Sequence, residues 1–599
     1  MTSVQPPSSS RAALAGRGSV VGIVTALVSL GVAQLVAAAL ASPIGAPVDA
    51  VGALSIDHSP AAVKNFAIST FGSSDKTVLV WGIRVVLLVL AAVVGIVAVR
   101  KLWYGLVGLG VLTAIGVYAA LVRPNATAAD AFPSLVGGAV AAIALRYFTG
   151  LARRGLPAAG AAPPKRAQQQ RARPQQQRAR PQQQPARPQS PVDWTPRSDE
   201  PASKPPGGQP ASKPPSGKPA TNVGGRAGSA RQQPAWTAAD SGQDRRRFLV
   251  TSAAVAAGSL VAYGGGSWLA SSRDVTAAAH AVRLPRPASP APPLPPGTDL
   301  NIPGLSSFVT PNGSFYRVDT ALVLPEVLPS QWQLRIHGMV RKPLVLSFAE
   351  LLKRPLVEDY ITLCCVSNPV GGPYIGNARW LGASLRSLLQ EAGVKAGASQ
   401  LLCTSADGFT SGTPVETAMD GRDALLAVGM NGAPLPVAHG FPARLVIPGL
   451  YGYVSACKWI VDIEVTTYAA AQAYWVPRGW APQGPVKTES RIDVPGIQNS
   501  VNTGSTVPIA GVAWAQHKGI EAVEVRIASG PWQQARLAAV PGIDSWQQWV
   551  YDWDVNVRPG NYLIEARATD KTGYTQTSLA EPPEPNGASG YPSLLVSVA

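Results

Sequence analysis

The sequence predicts a multi-domain protein with an N-terminal α-helical transmembrane bundle, then an α+β domain and a C-terminal β-sandwich. The first ~150 residues consist mainly of apolar stretches with few charges, which is the pattern of membrane spans. A long segment of Pro, Gln, Arg, Ser and Gly follows, with almost no side chains to bury. The remainder has the mixed composition of a folded unit, and 599 residues are enough for several domains.

Five apolar runs have the length that a bilayer requires, and four of them precede the polar segment. Basic residues flank these runs at alternate ends, and such residues stay on the cytoplasmic side. With the N-terminus inside, the fifth run would carry the C-terminal half out of the cytoplasm. We therefore expect a multi-pass protein of the cell membrane whose C-terminal half lies on the extracytoplasmic side. The runs are 20–41, 78–99, 102–122, 132–148 and 248–269, and the basic groups are Arg11 with Arg17, Arg100 with Lys101, and Arg146, Arg153 and Arg154.

The formal charge of +17 is concentrated in one segment of the chain. Between Arg153 and Arg247 there are 18 basic and 5 acidic residues, a net charge of +13. A flexible basic linker beside a membrane favours anionic lipid head groups as its partner. The folded part is close to neutral, so the charge does not predict a nucleic-acid-binding protein.

The fifth apolar run begins with Arg245, Arg246 and Arg247 followed by Phe248 and Leu249. This start resembles a twin-arginine export signal, which carries proteins already folded around a cofactor. The alternative is an ordinary fifth helix, since any span entering from the cytoplasm has positive residues before it. Residues 277–279 are three alanines and could form a processing site, so that the domain would be released rather than anchored.

A cysteine ends the most informative strand of the soluble half. The β-branched run of residues 359–364 predicts a buried strand, and Cys365 is followed by Ser, Asn, Pro and Gly, which predict a loop. A cysteine at a strand end can present a thiolate to a transition metal. The alternative is a small buried apolar residue in the strand. All four cysteines lie between residues 364 and 457, too few for a disulfide framework.

A second block of residues, 430–459, offers groups that a phosphate requires. Arg444 can grip a phosphate through two parallel hydrogen bonds, and Lys458 adds a point charge. Glycines in the same block allow the backbone to approach a ligand closely. His439, taken alone, is more typical of a loop histidine that satisfies backbone groups.

Together these segments resemble the sulfite oxidase family of molybdopterin-dependent oxidoreductases. The strand–Cys–loop segment resembles the molybdenum-ligand segment of that family, residues 378–382 resemble its ARWxG motif, and residues 430–459 resemble its MNGxPLP–HGxPxRxxxPG–xKW signature. The resemblance implies a molybdenum–molybdopterin cofactor (Mo-MPT), with Cys365 as the metal ligand and Cys364 as the strand residue before it. It implies further cofactor or pocket contacts at Asn368, Arg379, His439, Arg444, Ser455 and Lys458.

Three departures from the family pattern bear on the substrate. Residues 315–320 resemble an FxRNH segment whose Arg and His reach the cofactor in the family. Arg317 fits that role, with a surface arginine as the alternative, but Asp319 falls where the family has His. Phe409 falls in the position of the catalytic tyrosine and has no hydroxyl. Asn368 is followed by Pro369 where the family has Arg. A small dianion would lose charged hydrogen bonds here, so we expect that the protein is not an efficient sulfite oxidase.

The C-terminal region changes to short alternating strands between turn residues, which predicts an antiparallel β-sandwich. It resembles the immunoglobulin-like dimerisation domain of the family and so implies a homodimer. The expected boundaries are 1–152 for the four-helix transmembrane region, 153–244 for a disordered basic cytoplasmic linker, 245–272 for the twin-arginine-like signal or fifth transmembrane helix, 273–300 for a Pro-rich spacer, 301–490 for the molybdopterin domain and 491–599 for the immunoglobulin-like domain.

The function that we expect is transfer of an oxygen atom and two electrons to or from a small oxyanion or sulfoxide-like substrate. The alternatives are a membrane sensor that retains the fold without catalysis, and an adhesive surface protein built on the β-sandwich. The sequence contains no haem-attachment CxxCH and no set of iron–sulfur cysteines. We therefore expect a separate electron-transfer partner, a quinone or a cytochrome.

Overall fold

The computed structural model describes residues 8–40, 45–60, 75–123, 126–154, 238–271, 275–496 and 500–599, with residues 63, 66 and 70. The described residues from 8 to 154 and from 247 to 599 belong to one compact unit. Most of the linker predicted at 153–244 lies outside the described residues, but a helix already begins at Ala238.

Among the described residues, five helices are long and apolar enough to cross a membrane, and they coincide with the five predicted runs. A short helix after the first span was not predicted, because its twelve residues are too few to cross a bilayer. The candidate spans are Leu14–Ala39, Lys76–Arg100, Leu102–Leu121, Ala128–Arg154 and Arg246–Trp268. The helices are α1 (Ser8–Ala39), α2 (Pro47–His58), α3 (Asp75–Arg100), α4 (Leu102–Leu121), a 3-10 turn (Ala128–Ala131), α5 (Phe132–Arg154) and α6 (Ala238–Ser271).

Glycines bring α1 and α3 into backbone contact. A Cβ atom on Gly22 would lie 1.8 Å from the carbonyl oxygen of Ala91, and one on Gly95 would lie 2.1 Å from that of Gly18. In lipid the hydrophobic effect does not drive helices together. Small residues at such crossings let the two backbones approach, so that van der Waals packing can hold the helices together. We infer that larger residues at Gly22 or Gly95 would separate the two helices.

The α+β domain consists of two sheets that share one apolar core. The first sheet has the order β2-β1-β10-β5-β6, with β1 and β10 parallel, and the second has the order β3-β4-β7-β8, with β9 on β7. The strands are β1 (Gln333–Gly338), β2 (Leu344–Ser347), β3 (Leu356–Cys364), β4 (Ile375–Ser384), β5 (Gln400–Ser405), β6 (Thr410–Pro414), β7 (Leu425–Met430), β8 (Ala433–Pro434), β9 (Arg444–Val446) and β10 (Ile460–Thr466). The helices are α7 (Val275–Ala281), α8 (Phe348–Leu352), α9 (Leu385–Ala392), α10 (Val415–Met419) and α11 (Gly452–Ser455), with 3-10 turns at Val437–His439 and Val476–Arg478.

Strand β3 is an edge strand whose outer side is covered by other parts of the chain. The backbone N–H of Thr362 donates to the carbonyl oxygen of Asp544 at 2.9 Å, and its own carbonyl accepts from Gln516 Nε2 at 3.0 Å. Its hydroxyl accepts from the backbone N–H of Trp546 at 2.7 Å. These bonds satisfy groups that an open edge would expose, and they fix the strand that ends at Cys364.

The C-terminal region forms two further sheets around a second core that contains Ile509, Trp549 and Trp553. Their orders are β11-β13-β17-β16 and β12-β19-β18-β14-β15. Alternate residues of β18, from Ile564 to Asp570, are buried, as a half-buried strand requires. The immunoglobulin-like assignment stays a prediction. The strands are β11 (Glu489–Val494), β12 (Ser500–Val501), β13 (Thr506–Trp514), β14 (Ile520–Ile527), β15 (Gln533–Gln534), β16 (Arg536–Leu537), β17 (Gln547–Asp554), β18 (Gly560–Asp570) and β19 (Ser593–Val598).

Candidate functional site

The loop after β3 holds Cys365 in a closed turn. The backbone N–H of Cys365 donates to the carbonyl oxygen of Tyr374, and its carbonyl accepts from the backbone N–H of Asn368 at 3.0 Å. The Asn368 Oδ1 atom accepts from the backbone N–H of Tyr374 at 2.7 Å. A Cβ on Gly372 would lie 2.6 Å from that Oδ1, so the turn requires glycine there. The backbone of Cys365 is thereby fixed where the strand becomes a loop.

The two adjacent cysteines have different surroundings. Cys364 belongs to the apolar core, and burial raises the pKa of its thiol well above the usual value. The Sγ atom of Cys365 lies 2.9 Å from the hydroxyl of Ser367, outside that core. Burial also raises the pKa of the Cys365 thiol, and Ser367 and Lys458 oppose the shift. That Cys365 is the metal ligand stays a prediction. In support of it, the thiol of Cys365 lies outside the apolar core that contains Cys364.

Arg444 is a buried cation without a carboxylate partner among the described residues. Its guanidinium donates to the carbonyl oxygens of His439, Leu445 and Ala456 at 3.1, 3.3 and 3.4 Å. It also lies 5.1 Å from the ring centroid of Trp380. Burial lowers the pKa of Arg444 to about 10. A buried charge with only carbonyl partners is costly, so the position favours an anion from outside the chain.

His439 and Lys458 lie beside Arg444. Gly440, at φ +106, allows this convergence, because a Cβ there would lie 3.0 Å from the Arg444 Cβ and 3.1 Å from the Lys458 Cβ. Burial and the Arg444 charge lower the pKa of His439 to about 4, so its imidazole is neutral at pH 7. Its Nε2–H donates to the carbonyl oxygen of Asn312 at 3.0 Å, which leaves Nδ1 as an acceptor. Burial lowers the pKa of Lys458 to about 8.

Asp319 is the counter-ion of this group and not an isolated negative charge. Its carboxylate accepts from Lys458 Nζ at 2.7 Å, from Arg317 Nε at 2.8 Å and from Lys76 Nζ at 2.6 Å. Burial alone would raise the pKa of Asp319, but these cations hold it well below its usual value. The negative charge of Asp319 is therefore compensated by three cations. We call Arg317, His439, Arg444 and Lys458 the basic cluster.

Three predicted residues do not join the basic cluster. Arg379 is paired opposite Tyr360 in the register of β3 and β4, so its backbone lies roughly 13 Å along the strand from Cys364. Its guanidinium contacts Glu358 at 3.3 Å. The Ser455 hydroxyl donates within its own turn, to the carbonyls of Leu450 and Tyr451. Phe409 lies in the turn between β5 and β6, with its ring 5.6 Å from that of Tyr474.

Two aromatic residues of the site were not singled out from the sequence. The pKa of Tyr316 is raised by burial and then by the nearby Cys365 and Cys364, and its hydroxyl lies 3.8 Å from the Cβ that Gly452 would carry. Trp380 stacks under Arg444 and donates its Nε1–H to the carbonyl oxygen of Ile361. Both residues lie next to motif arginines, Tyr316 beside Arg317 and Trp380 beside Arg379, and that adjacency was the available signal.

The donor set fits an anionic cofactor that brings its own metal. The buried Asn368 Nδ2 atom has no hydrogen-bond partner within the described part of the chain, so it can donate to a ligand. Arg444 can likewise receive an anion. Among the described residues no group of three or more His, Cys, Asp or Glu side chains could hold a metal ion. One thiolate beside anion-binding groups therefore suits a metal whose other ligands come from the cofactor.

Residues 321–475 match the family model of the oxidoreductase molybdopterin binding domain. Sulfite oxidase of Gallus gallus is 31% identical over 322 residues, which cover 46% of this chain and 69% of that protein. The uncharacterized oxidoreductase YuiH of Bacillus subtilis is 32% identical over 155 residues, 26% of this chain and 75% of that protein. The sulfane dehydrogenase SoxCD of Paracoccus pantotrophus is similar with a TM-score of 0.42 and 26% identity, over 49% of this chain and 83% of that one. From the family match and the two sequence relatives, the chain belongs to the sulfite oxidase family of molybdopterin oxidoreductases and uses a molybdenum–molybdopterin cofactor.

Proposed function

We propose that the chain is a membrane-anchored enzyme that transfers one oxygen atom and two electrons to or from a small substrate beside Cys365. The observation that carries this proposal is the buried Arg444, which has no carboxylate partner among the described residues and lies in one group with His439 and Lys458. Such a group suits the phosphate of the pterin, while Cys365 suits the metal. The experiment that tests the proposal is the molybdenum content of purified protein, with turnover as the second readout.

The reaction balances in either direction. In substrate oxidation, water supplies the oxygen atom, and two protons and two electrons leave the substrate and water together. In reduction, the substrate loses its oxygen atom as water and takes up two electrons and two protons. When bound, the cofactor would supply the site that gives up an oxygen atom and takes two electrons in substrate oxidation, and that does the reverse in substrate reduction, with the electron-transfer partner as the other end of the electron path.

The residues of the chain would bind and orient the cofactor. Arg444 and Lys458 are donors for the phosphate, and Asn368 Nδ2, which has no partner in the part of the chain that the structure describes, is a further donor in the Cys365 turn. His439 is neutral, so it orders the Asn312 segment without adding a positive charge. Tyr316 keeps its hydroxyl proton at neutral pH and can donate a hydrogen bond near Cys365.

The substrate that this site suits is less charged than sulfite. Lys458 is a cation whose charge bears on Cys365, and its own charge is compensated by Asp319. At the positions where the family resemblance implies substrate contacts, Phe409 offers no hydroxyl, and Pro369 follows Asn368 where the family has an arginine. Each missing charged hydrogen bond costs about 1.5–3 kcal/mol, so two of them would lower the rate by a few powers of ten. A sulfoxide undergoing reduction is the substrate class that fits.

Steady-state kinetics on sulfite with an artificial acceptor, and on a neutral sulfoxide with an artificial donor, test the substrate class. We expect a kcat/KM for sulfite at least about a hundredfold below that of ordinary sulfite oxidases. Phe409→Tyr should raise the sulfite value, because it returns the hydroxyl, whereas Phe409→Leu should not. A sulfite kcat/KM within about tenfold of ordinary sulfite oxidases would contradict the proposal.

We also propose that the catalytic domain lies outside the cytoplasm and is exported by the twin-arginine route. The supports are the five apolar helices and the arginines of α6 at the point where the fifth candidate span begins. Arg245→Lys with Arg246→Lys keeps the charge that sets topology and removes the guanidinium pair. A reporter fused after Val598 should then lose its external activity. Unchanged export in this double variant would mean that the fifth span is inserted like any other helix.

A homodimer through the C-terminal domain completes the proposal. Leu563 of β18 and Leu595 of β19 are cross-strand partners, and both side chains are exposed. Adjacent exposed leucines on a sheet favour an apolar contact with another protein surface. The variant Leu595→Glu should shift the mass of the detergent-solubilised protein from dimer to monomer. A wild-type protein that is monomeric at micromolar concentration would contradict the dimer.

A further inference from the structure

A short segment of the chain contacts both the basic cluster and the membrane bundle. We call residues 317–322 the junction segment. At one end Arg317 belongs to the basic cluster, and in the middle Asp319 binds Lys458. Lys76, in the first turn of α3, donates to Asp319 at 2.6 Å and to the carbonyl oxygen of Ala321 at 2.7 Å. A membrane helix therefore contacts the same carboxylate as a cofactor-site lysine.

A second contact between bundle and junction segment is apolar. A Cβ on Gly52, in α2, would lie 2.7 Å from the Cδ1 atom of Leu322, so helix and side chain are in direct contact. Helix α2 packs on α4 and α3, which makes it part of the bundle. Two helices of the bundle thus contact the junction segment, one through an ion pair and one through packing.

The charge arrangement makes the ion pair more than a surface contact. The Asp319 side chain is 5% exposed and that of Lys458 is 11% exposed, so neither carries its full hydration. The Lys76 side chain is 27% exposed, so it supplies a partly buried third cation. In such surroundings each partner restricts the positions of the others, because an unpaired buried charge is costly. The position of Lys458 in the site therefore depends on Asp319, and that of Asp319 depends on Lys76.

We propose that the membrane bundle is part of the cofactor site, with Lys76 as a positioning residue that acts through Asp319 on Lys458. The bundle would then do more than anchor the domain. The carboxylate that stands where the family has histidine would serve this junction rather than the pterin. This inference rests on the proposed role of Lys458 in binding the cofactor. It assigns no chemistry to Lys76, which holds the junction segment through Asp319 and the carbonyl oxygen of Ala321.

The docking is tested by cross-linking in intact membranes. Gly52→Cys with Leu322→Cys brings two thiols together, and loss of the leucine side chain makes room for the new Cβ. A protease site inserted between Gly155 and Arg246 allows the chain to be cut into two fragments after mild oxidation. We expect the fragments to stay joined until a reductant is added. The control pair, Gly52→Cys with Val345→Cys at an exposed position, should give separate fragments.

The role of Lys76 is tested by retention of the pterin. Purified full-length protein is dialysed in detergent, and released pterin is measured by fluorescence after oxidation. Lys76→Met should release pterin about fivefold faster than the wild type. Lys76→Arg should restore the wild-type rate, because it keeps the cation. Lys518→Met removes a lysine that pairs with Asp570 elsewhere, and it should leave the rate unchanged.

The outcomes separate this inference from the proposed function. Separate fragments in the Gly52–Leu322 pair, from protein that contains molybdenum, would overturn the docking. Joined fragments with a wild-type release rate in Lys76→Met would overturn the positioning role. Protein without molybdenum or pterin would instead contradict the proposed cofactor site. Joined fragments, faster release in Lys76→Met and rescue by Lys76→Arg are the results that we expect together.

Discussion

The basic cluster and the C-terminal domain use arginine in opposite ways. In the C-terminal domain Arg526 pairs with Glu565 and Arg567 with Glu524 across the neighbouring strands β14 and β18, and both arginines stay partly exposed. In the basic cluster Arg444 is buried and contacts only carbonyl oxygens and a ring. In the C-terminal domain each of these arginines has a glutamate as its counter-ion. In the basic cluster the Arg444 charge has no carboxylate counter-ion among the described residues, so an anionic ligand is required to compensate it.

This contrast gives a physical reason for where the function lies. Surface pairs such as Arg526 with Glu565 contribute little to stability, typically below about 1 kcal/mol each. A buried guanidinium without a carboxylate partner would be selected against in a purely structural role. We therefore interpret the Arg444 position as one that is stabilised when an anionic cofactor binds.

The largest expected effect separates the two cysteines. Cys365→Ser should abolish turnover, because it removes the thiolate that we assign to the metal. Cys364→Ser should keep turnover and cost about 1–3 kcal/mol of stability, since it puts a hydroxyl into an apolar core. Steady-state assays and thermal unfolding of both variants check this. Loss of activity in the Cys364 variant with retention in the Cys365 variant would mean that the assignment is wrong by one residue.

The next effect compares the two arginine environments directly. We expect the wild type to unfold at a higher temperature with cofactor than without it, because a ligand of the folded state stabilises it. The cofactor also raises the free energy of unfolding, and Arg444→Met should reduce that gain in free energy by about 1.5–3 kcal/mol, because a charged hydrogen bond is lost. Arg526→Met should leave the gain unchanged. Scanning calorimetry on protein from hosts with and without cofactor synthesis measures it, and equal gains in all three proteins would contradict the comparison.

The smallest effect concerns a buried acid outside the basic cluster. Burial raises the pKa of Glu489 from 4.5 to about 8, and its Oε1 atom has no partner within the described residues. The pKa of Glu489 is higher in the folded than in the unfolded protein. Its contribution to the free energy of unfolding is therefore fully present below pH 4.5 and is lost as the pH rises through 8. Between pH 6 and 7 the free energy of unfolding of the wild type should fall by about 1 kcal/mol, and that of Glu489→Gln should not show this fall. Identical pH profiles of thermal unfolding would contradict a buried, protonated Glu489.

The sequence was sufficient where a local pattern controls the structure. The β-branched run before Cys365 and the turn residues after it predicted a strand end, and β3 does end at Cys364. The five apolar runs predicted the five long helices, because bilayer length and composition are local properties. The family resemblance is confirmed by the relatives and by the domain match.

Contacts between distant segments were beyond the sequence. Lys76 and Asp319 are 243 positions apart, and no local pattern indicates that they form an ion pair. Arg379 lies in a motif that follows the Cys365 loop, but β4 runs antiparallel to β3 and carries it away from the strand end. Two of the three cations that bind Asp319, Lys76 and Lys458, come from distant segments, so only the fold shows that its charge is compensated.

The molybdenum content of the full-length protein tests the central claim most directly. Protein purified from a host that makes the cofactor should contain close to one molybdenum atom per chain, and Arg444→Met should contain far less at equal yield of folded protein. Arg526→Met should match the wild type. A wild type without molybdenum, or an Arg444→Met variant that is fully loaded, would contradict the account.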